Sequence, residues 1–152
     1  MEVLLIKTPQ GHFMPADEEF QESCKRFKVG QTIRADIKAM RNYKFHKKFF
    51  AMLDVGFDAW EPDQKEYKGM PAQKNKTRFR KDCTIAAGFY TITYDINGNV
   101  KLEAKSISFA NMDDDEFEKL YSAVADVLLQ RVLRNYTRED LDSVVNQMMG
   151  FL

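Results

Sequence analysis

The spacing of hydrophobic and polar residues changes several times along the chain, and each change marks the start of a predicted element. Val3 to Ile6 is an apolar run typical of a buried strand, and residues 31–40 alternate as in a strand with one wet face. Between them Pro15-Ala16-Asp17 opens a helix that Gly30 ends. The first part of the chain therefore predicts strand, helix and strand.

From Asn42 to about Trp60 the period becomes helical. At about 100° per residue, one side gathers residues that we expect to face the core: Phe45, Phe49, Met52, Leu53, Gly56 and Trp60. The opposite side gathers residues that we expect to face solvent: Arg41, Lys44, Lys47, Lys48 and Ala51. Tyr43 and Phe50 lie at the border of the two sides, and Gly56 predicts a close approach by another backbone.

The second half of the chain predicts a loop, a helix, a hairpin and two more helices. Residues 61–77 show no period and predict a mobile basic loop, and Arg78 to Ala87 predicts a short helix. Asp113 to about Arg134 and Thr137 to Gly150 predict two helices, each opened by a capping residue.

The register of the hairpin follows from its apolar residues. A two-residue Asn97-Gly98 loop would place Tyr94 opposite Lys101 and so mix apolar with charged partners. A three-residue loop, with Gly98 left-handed, pairs Tyr94 with Val100 instead, and Ile92 with Leu102. We predict the three-residue loop.

These elements predict an α+β fold in a single domain over residues 1–152, in the order β-α-β-α-loop-α-ββ-αα. We expect a small mixed or antiparallel sheet with helices packed on it. Hydrophobic residues make up 44% of the chain and charged residues 30%, as in a soluble globular protein. The chain shows no signal peptide or membrane span, and the lone residues Cys24 and Cys83 predict core positions in a reducing, cytoplasmic protein.

The formal net charge is zero, but the charges are unevenly distributed along the chain. Residues 25–81 hold 16 basic and 6 acidic side chains, a net charge of +10. Residues 1–24 hold 1 and 5, and residues 82–152 hold 6 and 12. A basic segment inside an otherwise acidic protein is typical of a site for a polyanion, although a solvated basic surface explains the count about as well.

Basic side chains beside aromatic ones indicate single-stranded nucleic acid, because cations follow the phosphates while aromatic rings stack on bases. The predicted phosphate contacts come from Arg41, Lys44, Lys47, Lys48, Lys74, Lys76, Arg78 and Arg80. The predicted stacking residues are Tyr43, Phe50 and Tyr67. Two basic stretches of the chain must then line one groove.

Catalysis is not predicted. The chain holds no glycine-rich phosphate loop and no nucleophile motif, and neither His12 nor His46 has an acidic partner near it in sequence. Asp113, Asp115 and Glu116 would suit a metal-dependent nuclease, but neighbouring carboxylates at a helix start serve the cap and the dipole. We expect no cofactor and no metal.

The stretch from Arg41 to Leu53 resembles part of the phage NinB or Orf recombination proteins, in which an Arg ends a strand and a basic and apolar helix follows. The matching residues are Arg41, Lys47, Lys48, Phe49, Phe50, Ala51 and Leu53. Phe79 to Ala87 looks like the next helix of that family. The resemblance implies a dimer that prefers single-stranded DNA, helps to load a recombinase and contacts host single-strand-binding protein.

Nearly the whole chain resembles a second, uncharacterised family of small bacteriophage proteins, for example in Lys105 to Phe109 and Asp115 to Tyr121. That resemblance implies no activity. Together these observations predict a phage accessory protein in the cytoplasm of the bacterial host that binds single-stranded DNA non-specifically in recombination or replication. We expect it to be a homodimer, with a host single-strand-binding protein or a phage recombinase as its protein partner.

A different class of function also fits the sequence. The acidic segment 113–126 and the helical C-terminus suit a module that docks on a host or phage protein without contacting nucleic acid. Pull-down of partners from nuclease-treated host lysate separates the two hypotheses, because partners held by DNA would be lost.

Overall fold

Two compact units make up the fold, residues 1–37 and residues 38–152, and each is described by itself. The computed structural model describes residues 3–16, 18–38, 42–108 and 111–150. The first unit holds strands β1 and β2 and helix α1, and the second holds four helices and two hairpins. The prediction of one domain over the whole chain stays a prediction beside this division.

The first unit is a hairpin followed by a short helix. Strand β1 (Leu5–Lys7) pairs antiparallel with β2 (Phe13–Pro15), and α1 (Glu18–Cys24) follows. Gly11 turns the chain with a φ of 87° and donates its N–H to the carbonyl of Thr8 at 2.9 Å. The first strand is thus present, but its residues are exposed rather than buried as predicted.

The predicted strand over residues 31–40 is wrong for residues 31–38, which form no helix or strand; residues 39–40 lie outside the described residues. Ile33 and Ile37, expected on a buried face, are exposed. The alternation of apolar and polar residues shows which side chains a strand would bury. A strand also needs a partner for its backbone hydrogen bonds. Among the described residues, no strand pairs with this segment.

The second unit is built around α2 (Tyr43–Ala59), which packs against α3 (Lys76–Ala86), α4 (Asp114–Arg131) and α5 (Arg138–Gly150). Phe49 of α2 meets Phe117 of α4 edge to face, with ring centroids 5.1 Å apart. The side chains that share the fully buried centre are Phe49, Met52, Phe117, Leu120, Val124, Leu128, Leu141 and Val145. The predicted inward sides of these helices therefore form one core.

Side-chain caps explain where the helices begin. Asn42, Asn75 and Asp113 each accept the N–H of the residue three positions later, at 3.2, 2.8 and 2.8 Å. Thr137 and Asp140 cap α5 reciprocally, because each accepts the other's backbone N–H. The cap at Asn75 starts α3 two residues before the predicted position, and α4 ends at Arg131 instead of near Arg134.

The segment 61–77, predicted as a loop without structure, contains a small hairpin. Strand β3 (Glu66–Tyr67) pairs with β4 (Met70–Pro71). The turn between them places Lys68 at a φ of 51° and Gly69 at 78°, the two positive values of a type I′ turn. Lysine seldom takes this conformation, so of the two turn residues only Gly69 could be recognised from the sequence.

The second hairpin has the predicted register. Strand β5 (Tyr90–Tyr94) pairs with β6 (Val100–Ala104), with Ile92 opposite Leu102 and Tyr94 opposite Val100. Gly98 is left-handed at a φ of 79°. The α+β class is confirmed, but in place of one sheet the described chain has three separate two-stranded antiparallel sheets.

Gly56 marks the tightest contact between α2 and α4. A Cβ atom added there would lie 2.5 Å from Cδ2 of Leu128, which is fully buried. The atoms nearest to it all belong to the Leu128 side chain, so a side chain of α4 fills the space where another backbone was predicted.

We expect Gly56→Ala to lower the free energy of unfolding by up to about 2 kcal/mol, because overpacking costs about 1 to 3 kcal/mol and the helix preference of alanine offsets about 1 kcal/mol of it. Urea denaturation followed by circular dichroism measures the change. Gly150→Ala is the matched control, since a Cβ added at that position meets no atom within 4 Å. Equal stability of both variants and the wild type would contradict the close contact.

Candidate functional site

One face of α2 carries alternating aromatic and charged side chains. Tyr43, Lys47, Phe50, Asp54 and Phe57 are spaced by three or four residues and so fall on one side of the helix. Phe50, Asp54 and Phe57 also line a cleft toward α3. This row, which we call the α2 track, leads directly into that cleft.

The cleft between α2 and α3 has a volume of about 170 Å³. Its lining combines aromatic rings with two cations and one carboxylate: Phe50, Leu53, Asp54, Phe57, Lys76, Thr77, Phe79 and Arg80. The structure thus brings Phe50 from the first predicted stretch together with Lys76 and Arg80 from the second. A planar apolar group with an attached anion fits such a lining.

Arg80 is the half-buried cation of the cleft, and burial lowers the pKa of its guanidinium group. An arginine remains charged at neutral pH even so, because its ordinary pKa is so high. A cation with part of its hydration removed interacts more strongly with an approaching anion than a fully solvated one does. Arg80 is therefore well placed to contact a phosphate.

Two other predicted phosphate contacts are paired with carboxylates. Lys76 Nζ lies 2.9 Å from Asp54 Oδ1, and its hydrogen bond with that carboxylate raises the pKa of Lys76. Arg78 Nε lies 3.2 Å from Asp82 Oδ1 on the same helix. Both pairs are exposed, so each contributes little to stability and separates easily. The pair of Lys76 with Asp54 reduces the positive charge at the cleft without burying it.

Lys74 lies against the C-terminal end of α2. Its Nζ donates to the carbonyl oxygen of Phe57 at 2.5 Å and lies 4.5 Å from the Phe57 ring centroid. The same ammonium group is 5.8 Å from the ring of Trp60. These contacts with the ring faces hold the segment before α3 beside the α2 track.

The lysines at the start of α2 point in different directions. Lys47 Nζ lies 4.6 Å from the centroid of Tyr43, on the α2 track, whereas Lys48 Nζ lies 5.5 Å from the ring of Tyr121 on α4. Lys44 is exposed between these two directions. The basic side chains of α2 therefore divide between two surfaces.

The predicted solvent side of α2 is wrong at Ala51, which is only 4% exposed. The helical periodicity placed this residue opposite the core, but α5 packs against α2 and buries surface outside the apolar stripe. An alanine gives no strong hydrophobic signal, so the sequence pattern did not reveal this second contact.

Among the described residues, three of the predicted site residues line the cleft: Phe50, Lys76 and Arg80. Tyr67 lies on β3 and is 70% exposed, with Lys68 Nζ 5.4 Å from its ring centroid. It is not among the residues that line the cleft. Arg41 lies outside the described residues.

Sequence reasoning missed Asp54, Phe57 and Thr77 as members of the site. For the first two a signal was available, because Asp54 follows Lys47 by seven residues and Phe57 follows Phe50 by seven, a helical repeat. For Thr77 no signal was available, because its position in the cleft depends on how α3 packs against α2.

The acidic residues at the start of α4 act on the helix end. Asp113 accepts the N–H of Glu116 at 2.8 Å, which satisfies one of the free donors of the first turn. Among the described residues, no three His, Cys, Asp or Glu side chains are grouped as a metal would require. In the same part of the chain, no helix has both the length and the apolar character needed to cross a membrane.

A family model described as Protein of unknown function (DUF1367) matches residues 1–66 and 63–151. The chain belongs to this family. The matched ranges include α2 and α3. No curated protein and no solved structure matches the chain. The predicted uncharacterised family is confirmed, while its phage origin and the NinB resemblance stay predictions.

Cys83 lies beside the site, in a second cleft of about 170 Å³ that Trp60, Phe79 and Arg131 also line. Burial raises the pKa of its thiol from 9.0 to about 11, and the nearby Asp82 carboxylate adds to the rise. The protonated thiol is a poor nucleophile. Cys83 is buried and Cys24 is half-buried, so the predicted core position holds for Cys83.

We expect Cys83 to react with iodoacetamide much more slowly than Cys24 at pH 8, and equally fast in denaturant. Mass spectrometry of the labelled peptides measures both rates. Equal labelling of the two cysteines in the folded protein would contradict the buried position.

The pKa of the Cys83 thiol is higher in the folded protein than in the unfolded chain. The protonated thiol therefore stabilises the folded state below pH 9, and this stabilisation is lost as the pH rises toward about 11.

Proposed function

We propose that this protein binds single-stranded DNA non-specifically along the α2 track and in the cleft between α2 and α3. The observation that carries the proposal is the meeting of Phe50, Lys76 and Arg80 in one cleft, with Lys47 one helical turn before Phe50. Phosphates would contact the cations while a base rests on an aromatic ring, the pairing that single-strand sites use.

The length of the α2 track suits a short stretch of strand. Tyr43 to Phe57 spans roughly 21 Å at 1.5 Å per residue. At roughly 3.4 Å per stacked nucleotide, this length accommodates about six nucleotides. Lys47 lies on the track, and Lys76 and Arg80 line the cleft at its end, so more than one phosphate can be engaged at once.

An unpaired strand fits this site better than a duplex does. Phe50 is 36% exposed at the rim of the cleft, and its ring lies 4.7 Å from that of His46. A base stacks on such a ring only when its own face is free, whereas a duplex keeps its bases stacked inside the helix. Such stacking tolerates any base, and the phosphate contacts carry no sequence information.

The carboxylate pairs are consistent with reversible, non-specific binding. Lys76 and Arg78 exchange Asp54 and Asp82 for a phosphate when the strand arrives, so the free protein does not hold several unpaired cations together. The cost of each exchange is small, because exposed pairs contribute at most about 1 kcal/mol.

The biological setting that we propose comes from the resemblance of residues 41–53 and 79–87 to phage recombination proteins. The protein would act as a bacteriophage accessory factor in recombination or replication, in the cytoplasm of the host. A host single-strand-binding protein or a phage recombinase would be its protein partner. No bound cofactor and no catalytic step belong to the proposal.

We expect the full chain to bind a fluorescent oligo-dT strand with a salt-dependent affinity. Anisotropy titrations at several salt concentrations give the slope of log affinity against log salt, about −0.7 for each phosphate neutralised. Lys47→Ala combined with Arg80→Ala should weaken binding and reduce the slope by about 1.4. Lys119→Ala, an exposed cation on α4, is the matched control and should change neither.

Binding that is absent below roughly 10⁻⁴ M, or that does not respond to salt, would reject the proposal. A module that docks on another protein without nucleic acid would then be the better hypothesis. Loss of binding in the Lys119→Ala control to the same extent would show a diffuse attraction in place of the site.

We expect Asp54→Asn to tighten DNA binding about two- to fivefold, because Lys76 then meets a phosphate without first leaving a carboxylate. The same anisotropy titration measures it, while urea denaturation should show a stability change below about 1 kcal/mol. Weaker binding by this variant would mean that the pair between Lys76 and Asp54 must stay intact in the complex.

A further inference from the structure

The hairpin of β5 and β6 presents an apolar face to solvent. Its cross-strand pairs are Tyr90 with Ala104, Ile92 with Leu102 and Tyr94 with Val100. Ile92 is 68% exposed and Tyr94 81%, and Ile96 in the loop is fully exposed. We call the exposed apolar residues of these pairs and of the loop the hairpin face: Tyr90, Ile92, Tyr94, Ile96, Val100 and Leu102.

The opposite face of the same hairpin is polar. Thr91 lies opposite Glu103 and Thr93 lies opposite Lys101, and all four are exposed. The three-residue loop with its left-handed Gly98 determines which residues share a face. The hairpin therefore has the two-sided pattern of a sheet that covers a core, yet its apolar side is exposed.

The hairpin face has the size of an interaction site. From the usual areas of aromatic and aliphatic side chains, its exposed fractions amount to roughly 600 Å² of apolar surface. Surfaces of this size on soluble proteins mark interaction sites. A two-stranded hairpin is also only marginally stable alone, so covering one face would stabilise it.

The chemistry of the hairpin face excludes several occupants. None of its six side chains is charged, and Lys101 belongs to the opposite face. A nucleic acid strand needs cations beside the rings, and a charged peptide needs opposite charges. An apolar surface is the chemistry that matches it.

We propose that the hairpin face is the interface of a homodimer, in which it packs against the same face of a second copy about a two-fold axis. An uncharged face meets its own copy without repulsion, and two-fold dimers are the commonest assemblies. Two copies together would bury roughly 1,200 Å², the lower limit for a specific interface. The hairpins would stack as two sheets roughly 10 Å apart.

This interface is separate from the proposed DNA site. The hairpin follows α3 in the chain, whereas the cleft lies between α3 and α2, and no residue of the hairpin face lines that cleft. Dimerisation by this surface therefore stands or falls independently of DNA binding.

Sedimentation velocity on the full chain, without DNA, tests the interface over roughly 2 to 200 µM, the range expected for an interface of minimal size. The wild type should shift from the mass of one chain toward that of two. Ile92→Thr combined with Tyr94→Thr should weaken association at least about tenfold, since threonine keeps the strand preference while removing apolar area. Thr93→Ser on the opposite face is the matched control and should associate as the wild type does.

A second variant tests the interface without changing a residue of either strand. Ile96 is fully exposed and lies outside both strands, so Ile96→Asp should leave the circular dichroism spectrum unchanged while placing a charge in each copy of the interface. We expect it to be a monomer over the same range. A wild type that stays monomeric, or an Ile96→Asp protein that associates as the wild type does, would overturn the proposal.

Discussion

The packing of α2 onto α4 is the contact on which the rest of the second unit depends. Phe49 meets Phe117, and Gly56 lets Leu128 approach so closely that no Cβ fits between the two helices. While these residues of α2 meet α4, Phe50, Asp54 and Phe57 of the same helix line the cleft toward α3.

The basic side chains of α2 divide between two surfaces of the helix. Lys47 lies on the cleft side of α2, while Lys48 points to Tyr121. Of the cations near α3, Arg80 is half-buried in the cleft and Lys76 and Arg78 lie beside carboxylates. The basic side chains of this part of the chain therefore differ in their burial and in their carboxylate partners. Of the two cations that line the cleft, Arg80 is half-buried and Lys76 is exposed.

The two hairpins of the second unit show how differently turn residues inform a prediction. In the β5–β6 hairpin, the apolar pairs and the position of Gly98 agreed, and the structure has the predicted register. In the β3–β4 hairpin, Lys68 adopts a left-handed conformation that lysine does not predict, so segment 61–77 was predicted to lack structure. Local chemistry decides such cases only when the residue type and the backbone conformation match.

The sequence by itself determined the α+β class, the four helices of the second unit, most of their core residues and the caps at Asp113 and Thr137. These features depend on periodicity and on bonds within one turn, which neighbouring residues specify. Only the tertiary structure decided that residues 31–38 form no strand, that Ala51 is buried and that Lys76 faces Asp54. Each of these depends on partners distant in the chain. A local pattern predicts which side chains are suited to burial, but not which distant element packs against them.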